Sequence, residues 1–513
     1  MKILMVASEL AEVAPVGGIA EYVLGLATSL LRRGHEVQVA IPSYAYLRSR
    51  QDLKIMNHRL VVQLGVGVSE VTAVHEMQVD CPGPGHLQLP VLLVGDHKHF
   101  SSVHLEQEIY QWPNPEPWIA FSRSIVALLN FSGWCPDVIH CQDAHTSLIP
   151  IYVRRMREFQ PHSFAASART VLTIHNLLNQ GVGPAGIVAY AGLPQELFQL
   201  EGFEYHGSAN CFKAGLLAAD RVSTVSRTYA EEICRSSDYG FGLEGVLRGL
   251  KSAGRLKGIV NGIDEDRWRM EGVRYDGSDR SEEIIRAKDA LRQSLYPRWN
   301  WQLSDEPVIA FRSRWDNQKG VGILGECVEQ MLDLARVIVR AWGTEEATGE
   351  LRSLWQRFTK LAEERPERFL INPEGLSTMG DIAAYYTIAD FFLMPSRYEP
   401  CGLTQMECQR YGTIPIVRRT GGLADTVSET VTPDLASPNG FVFHEMKASA
   451  LLRAVERAVA AFHDPGKRSE LIQNALLQRN GWDSRVEQYE ALFAEAQTTS
   501  VGRGLDPRSG RVV

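Results

Sequence analysis

The densest run of potentially reactive side chains lies between Met394 and Val427. Pro395-Ser396-Arg397-Tyr398-Glu399-Pro400-Cys401-Gly402-Leu403-Thr404-Gln405 sets a carboxylate in a Pro- and Gly-rich loop after an apolar stretch. Glu407 follows Glu399 at a Glu-x7-Glu spacing. Thr420-Gly421-Gly422-Leu423 comes after the next apolar stretch. Paired glycines let a backbone approach a phosphate, and a helix N-terminus favours an anion. Upstream, Arg314 and Lys319 lie just past another apolar run, 307–312. Two cations beside two Gly-rich loops suit the departure of a diphosphate, whose growing negative charge needs neutralising.

A second set sits near the N-terminus. Gly17-Gly18 lies between an apolar strand pattern and a helical one. It serves either a phosphate or simply a tight turn. His175, in Thr173-Ile174-His175-Asn176, and the segment Asp143-Ala144-His145 each follow a short apolar run. A histidine there either faces a ligand or is an ordinary hydrogen-bonded structural residue. Asp264-Glu265-Asp266 has the Asp-x-Asp form of a metal site, but it follows the Asn261-Gly262 turn and reads as a loop. No His or carboxylate spacing demands a metal.

The elements that must hold these residues are strands and helices in alternation. Lys2 to Ala7 reads as a buried parallel strand, Gly18 to Leu31 as a helix with one broad apolar face, Gly34 as its C-cap glycine, and Glu36 to Ile41 as the next strand. The unit is βαβ, and it recurs at 137–140, 171–175 and 219–226. A second series has strands at 307–312, 336–343, 389–395 and 413–417, with long helices near 445–463 and 483–497. This predicts an α/β chain of two Rossmann-like, doubly wound parallel-sheet domains facing a deep cleft. The expected division is 1–265, a polar connector with an irregular helix 266–305, a second domain 306–482, a helix 483–497 returning to the first domain, and a disordered tail 498–513.

Composition removes several function classes. The 513 residues carry a net charge of −8, which argues against a nucleic-acid binder. Basic pairs such as Arg154-Arg155 and Arg418-Arg419 are short, and read as solvated surface or a phosphate contact. The eight cysteines show no CxxC spacing, which fits buried thiols in a reducing cytoplasm. The N-terminus does not read as a signal peptide, and no window is apolar enough for a membrane helix.

With these residues in view, the chain resembles the bacterial glycogen synthase and plant starch synthase family of GT-B glycosyltransferases, from residue 1 to about 495. The run from Pro395 to Val427 carries the resemblance most specifically. It is supported by Thr173-Ile174-His175-Asn176-Leu177, Phe212-Lys213-Ala214-Gly215, Gly245-Val246-Leu247-Arg248 and Val260-Asn261-Gly262-Ile263-Asp264. The resemblance implies an enzyme moving glucose from ADP-glucose to the non-reducing end of an α-1,4-glucan, with retention and without a metal or other cofactor. It implies a catalytic set of Glu399 beside the glucose, His175 at the sugar 6-hydroxyl, and Arg314 and Lys319 on the diphosphate. Gly17, Gly18, Cys401, Gly402, Leu403, Thr404, Thr420, Gly421 and Gly422 would line the donor, with Asp143 and His145 on the acceptor side. Nucleotide sugar and glucan would be the partners.

The chain also departs from the family pattern. Pro15 stands where the family's donor-binding Lys is expected, and Glu21 where Asp is usual. Gln142 and Ala144 replace the first His and the Trp of a His-Asp-Trp-His element. Glu407 is not typical, and Asn261 is assigned no definite role. These departures keep two alternatives open: a related retaining transferase with another donor or acceptor, and a weakly active glucan-binding relative. Oligomeric state is not legible.

Overall fold

Runs rich in Val, Ile and Leu become parallel strands because both sheet faces are covered, leaving no polar side to alternate with. In the computed structural model, which describes residues 1–498 apart from 66, 68, 84, 97, 111–113 and 377–380, two compact units emerge. The predicted tail from 499 onward lies outside the described residues.

The first unit comprises 1–225, 230–262 and the chain from 482. Its sheet is built from β1 (Lys2–Val6), β2 (Glu36–Pro42), β3 (Lys54–Gln63), β4 (Ser69–Asp80), β5 (Gln88–Asp96), β6 (Val138–Gln142), β7 (Arg169–Ile174), β11 (Arg221–Thr224) and β12 (Leu256–Gly258). A separate small sheet holds β8 (Val182–Gly183), β9 (Glu204–Tyr205) and β10 (Ser208–Asn210). The strand order is β12-β11-β7-β6-β1-β2-β5-β4-β3, parallel from β12 to β5 and antiparallel beyond. The chain starts at β1, runs outward through β2, and later returns to β6 on the other side. The order therefore reverses between β1 and β6. The helix Asp483–Thr498 packs on β6, β7 and β11, and Trp482 just before it lies against Gly25 and the Tyr22 ring.

The second unit comprises 226–229 and 263–481. Its strands are β13 (Val308–Arg314), β14 (Arg336–Trp342), β15 (Phe369–Ile371), β16 (Phe391–Met394), β17 (Ile414–Arg418) and β18 (Phe441–Phe443). All are parallel, in the order β15-β14-β13-β16-β17-β18. This is the dinucleotide-fold order, and it reverses between β13 and β16.

Residues 266–305, read from their polarity as a connector, belong to this second unit. They form the helix Ser281–Leu295 and a short turn, Tyr296–Trp299. The helix is expected; its membership of the second unit is not, because two of its charged residues are buried. Lys288 Nζ donates to Ala389 O at 2.5 Å and Thr413 Oγ1 at 2.7 Å. Arg292 pairs with Asp390 at 2.6 Å. Burial pushes the Lys288 ammonium down to about 7.

Candidate active site

Ligands of open α/β sheets bind beyond the strand C-termini at the point where strand order reverses. Each unit brings sequence-selected residues to such a point.

In the second unit the reversal separates the loop after β13 from the loop after β16. The first carries Lys319, in the turn Asn317–Lys319, and the second carries Glu399. Lys319 Nζ lies 2.7 Å from Glu399 Oε2, and Ser396 Oγ donates to the same oxygen at 2.9 Å. Glu399 is buried while Lys319 is half-buried. The two loops are also tied by backbone, since Arg397 N donates to Gln318 O at 2.7 Å. Arg314, at the end of β13, is exposed and pairs with Asp316 at 3.3 Å.

The Gly421-Gly422 loop differs from its sequence reading. A side-chain carbon on Gly421 would stand 1.9 Å from Glu399 O, and one on Gly422 would stand 2.1 Å from Cys401 O. Gly422 N donates to Glu399 O at 3.1 Å. The fold's own packing therefore demands both glycines. The helix they open, Gly421–Thr426, begins with buried Thr420 and spans only six residues. Gln405 braces the same loop, donating from Nε2 to Gly402 O at 2.9 Å and Thr426 Oγ1 at 3.0 Å. Cys401 is buried, while Gly402, Leu403 and Thr404 are half-buried where the helix Thr404–Gln409 starts.

Arg418, read from sequence as surface or a phosphate contact, is buried instead. Its Nε donates to Ser396 O at 2.8 Å and its Nη2 to Arg397 O. It therefore anchors the loop that presents Glu399. Its place at the end of an apolar strand was the available signal. Glu407 is buried and accepts from Tyr386 Oη at 2.6 Å.

In the first unit the reversal separates the loop after β1 from the loop after β6. Asp143, just past β6, holds φ at 55°, a conformation that a residue with a side chain adopts only under constraint. That backbone aims its carboxylate at the next loop, where Oδ1 accepts from His175 N at 2.6 Å and Asn176 N at 3.3 Å. Burial pushes the Asp143 carboxyl up to about 7 against those hydrogen bonds. His175 follows β7 and is buried. Its ring edge meets Tyr22 at 4.6 Å, and its Nε2 lies 2.9 Å from Gln142 Oε1. Burial pushes its imidazole down to about 3, and neighbouring His145 adds to the effect. His145 is packed against Trp118 at 4.5 Å and Tyr110 at 5.0 Å, and burial takes it down to about 4.

The loop after β1 contains a feature the sequence reading missed. The buried carboxylate of Glu9 accepts from Gly17 N at 2.5 Å and Val16 N at 3.3 Å, and its other oxygen accepts from Tyr110 Oη. An acidic residue inside an apolar segment was the signal. Burial raises the Glu9 carboxyl against those hydrogen bonds, and this side chain takes the Gly17 amide, beside exposed Pro15. A side-chain carbon on Gly18 would meet nothing within 4 Å.

Asn261 is buried, with its Oδ1 unpartnered among the described residues. In the Asp-x-Asp segment, Asp264 Oδ1 accepts from Asp266 N at 3.0 Å and so caps its own loop, while the intervening Glu265 Oε1 accepts from Asn480 N at 2.8 Å and ties that loop to a distant part of the chain. Among the described residues no helix is long and apolar enough to cross a membrane.

Comparison with known proteins extends over most of the chain. A family described as "Starch synthase catalytic domain" matches residues 2–249, and "Glycosyl transferases group 1" matches 298–478. Glycogen synthase 2 of Geobacter sulfurreducens is 35% identical over 98% of this chain and 100% of its own. A glycogen synthase of Fervidobacterium nodosum is 32% identical over 97% and 99%. Among solved structures, the catalytic domain of starch synthase IV from Arabidopsis thaliana, bound to ADP and acarbose, superposes with a TM-score of 0.81. It is 26% identical and covers 97% of this chain and 99% of that one.

Proposed function

Since this chain belongs to the glycogen and starch synthase family of glycosyltransferases, we propose that it takes glucose from ADP-glucose and adds it, with retention, to the non-reducing end of an α-1,4-glucan. The ADP bound to the Arabidopsis thaliana enzyme supports an adenine-linked donor. The observation that carries the site assignment is the Lys319–Glu399 pair at the strand-order reversal.

In the proposed reaction the bond from the glucose anomeric carbon to the diphosphate oxygen breaks, and a bond from that carbon to an acceptor hydroxyl oxygen forms. The hydroxyl proton passes to the departing phosphate. Lys319 and Arg314 take up the leaving-group charge, so this route calls on no metal. Glu399, fixed by Lys319 and Ser396, sets a negative charge beside the anomeric carbon as it becomes cationic. His175 contacts the sugar, and Asp143 holds the His175 loop on the acceptor side.

The Glu9 carboxylate on the Gly17 amide, together with Pro15, favours one second reading. With the first loop supplying less positive field, the donor is a different nucleotide sugar. Glucose transfer to glycogen from ADP-glucose and UDP-glucose in parallel, with Glu399→Ala as control, tests both. Transfer from ADP-glucose that needs Glu399 supports the first reading. Transfer from neither, by folded protein, overturns it.

A further inference from the structure

Gln142 ends β6, immediately before Asp143. Thr146 holds its backbone at both polar groups: Gln142 N donates to Thr146 Oγ1 at 2.6 Å, and Thr146 Oγ1 donates to Gln142 O at 2.8 Å. The side chain spans two fixed partners. Its Nε2 donates to His140 O at 3.2 Å, and its Oε1 lies 2.9 Å from His175 Nε2. A backbone carbonyl only accepts, so the amide NH2 must face His140 and the amide oxygen must face His175. That oxygen also only accepts, so His175 Nε2 must carry the proton. A neutral imidazole has one such proton, which leaves Nδ1 a bare acceptor. Among the described residues no hydrogen bond reaches Nδ1.

We propose that Gln142 is a positioning residue that locks His175 in the Nε2–H tautomer, so that His175 meets the transferred sugar as a hydrogen-bond acceptor through Nδ1. This rests on the reading of His175 as a sugar contact. The direction of the bond matters to the chemistry. A sugar hydroxyl that donates to Nδ1 keeps electron density on its oxygen while the ring gains positive charge; a donating imidazole would draw that density away. The reversed tautomer would set the Gln142 oxygen against a bare nitrogen lone pair in a buried site.

The titratable groups around the ring are Tyr22 on the helix Gly18–Arg32, His140 on β6, and Asp143 and His145 in the loop after β6. Burial holds His175, His140 and His145 neutral near pH 7.

The test is a long-range proton–nitrogen correlation spectrum of full-length protein carrying 15N-labelled histidine, with His175 assigned from the signal lost in His175→Asn. Wild-type protein is expected to show His175 as the Nε2–H tautomer throughout pH 6–8. Gln142→Leu is expected to mix the tautomers and lower kcat about ten-fold or more, with KM for the donor unchanged. In Gln142→Glu, the new carboxylate is expected to bring a His175 ionisation, and a matching one in kcat, toward neutral pH. An Nδ1–H tautomer in the wild type overturns the proposal, even if neither variant folds. So does a folded Gln142→Leu with wild-type tautomer and kcat. The spectrum needs no substrate, so a wild type that transfers no glucose would count against the functional reading alone.

Discussion

Lys319 Nζ stands 2.7 Å from Glu399 Oε2, across the two loops that flank the strand-order reversal of the second unit. The pair has two duties. It neutralises a buried carboxylate, and in the proposed reaction it would fix a cation where the leaving phosphate gains charge. Removing the cation strands the buried Glu399 charge, and since Lys319 is only half-buried the expected cost is about 1–3 kcal/mol. Lys319→Met is therefore expected to lower stability and to reduce kcat by about 10²–10³. Combining it with Glu399→Gln removes the stranded charge. The double variant should regain stability in urea titrations while staying inactive. If Lys319→Met keeps wild-type kcat, the cation has no part in leaving-group stabilisation.

Arg418 spends its guanidinium on the carbonyls of Ser396 and Arg397, with a longer contact to His444 O at 3.4 Å. Arg418→Met leaves buried carbonyls without a donor, at an expected cost of about 2–4 kcal/mol. The loop presenting Glu399 then loses its anchor, so kcat should fall even where the protein remains folded. Arg418→Lys supplies a point charge in place of a planar fork and should recover only part of the loss. Denaturant unfolding and initial rates on the same preparations check this. Unchanged rates in both variants would make Arg418 a purely structural residue.

Asp143 gives a pH signature with a defined sign. Its folded carboxyl is raised by burial to about 7 from an unfolded value of 3.8. Between those values the folded state holds a proton that the unfolded chain has lost. The stability from the protonated form is present below the unfolded value and is lost as pH rises through 7. Asp143→Asn keeps an oxygen acceptor for the His175 and Asn176 amides but cannot titrate. The wild type's stability relative to this variant should therefore fall steadily with rising pH, by roughly 2–4 kcal/mol between pH 5 and pH 8. A stability difference that is constant across that range would show that Asp143 is already ionised at pH 5.

The strands that position these residues were legible because parallel strands buried on both faces read as short apolar runs. β1, β6, β7, β13, β16 and β17 all fall where those runs predict them. The paired strands β3 and β4 were not legible. Their outward faces carry Ile55, Val61 and Val71, exposed at 73%, 63% and 49%, so apolar residues do not mark the buried side. A helix is expected within 266–305, but its packing into the second unit is not, because Lys288 and Arg292 are buried and a linear reading assigns charge to solvent. Glu399, Lys319, Asp143 and His175 were recognisable from loop position. Glu9 and Arg418 left only weak signals and Gln142 stood out only as a departure from the family pattern, because each acts through a backbone or side-chain partner that only the fold brings near.

The two glycine pairs, alike in sequence, should respond oppositely to substitution. A methyl group on Gly421 or Gly422 would overlap the carbonyl oxygens of Glu399 or Cys401, and Gly421 has φ at 44° besides. Backbone cannot yield there without moving the Glu399 loop, so Gly421→Ala and Gly422→Ala should each cost about 2 kcal/mol or more and lose most activity. A methyl group on Gly18 meets no protein atom within 4 Å, so Gly18→Ala should fold with wild-type stability. Any rise in donor KM in Gly18→Ala would then report a clash with bound ligand. Thermal unfolding together with donor KM separates the two cases. A Gly18→Ala protein with unchanged stability and unchanged KM would show that Gly18 makes no close contact with the donor.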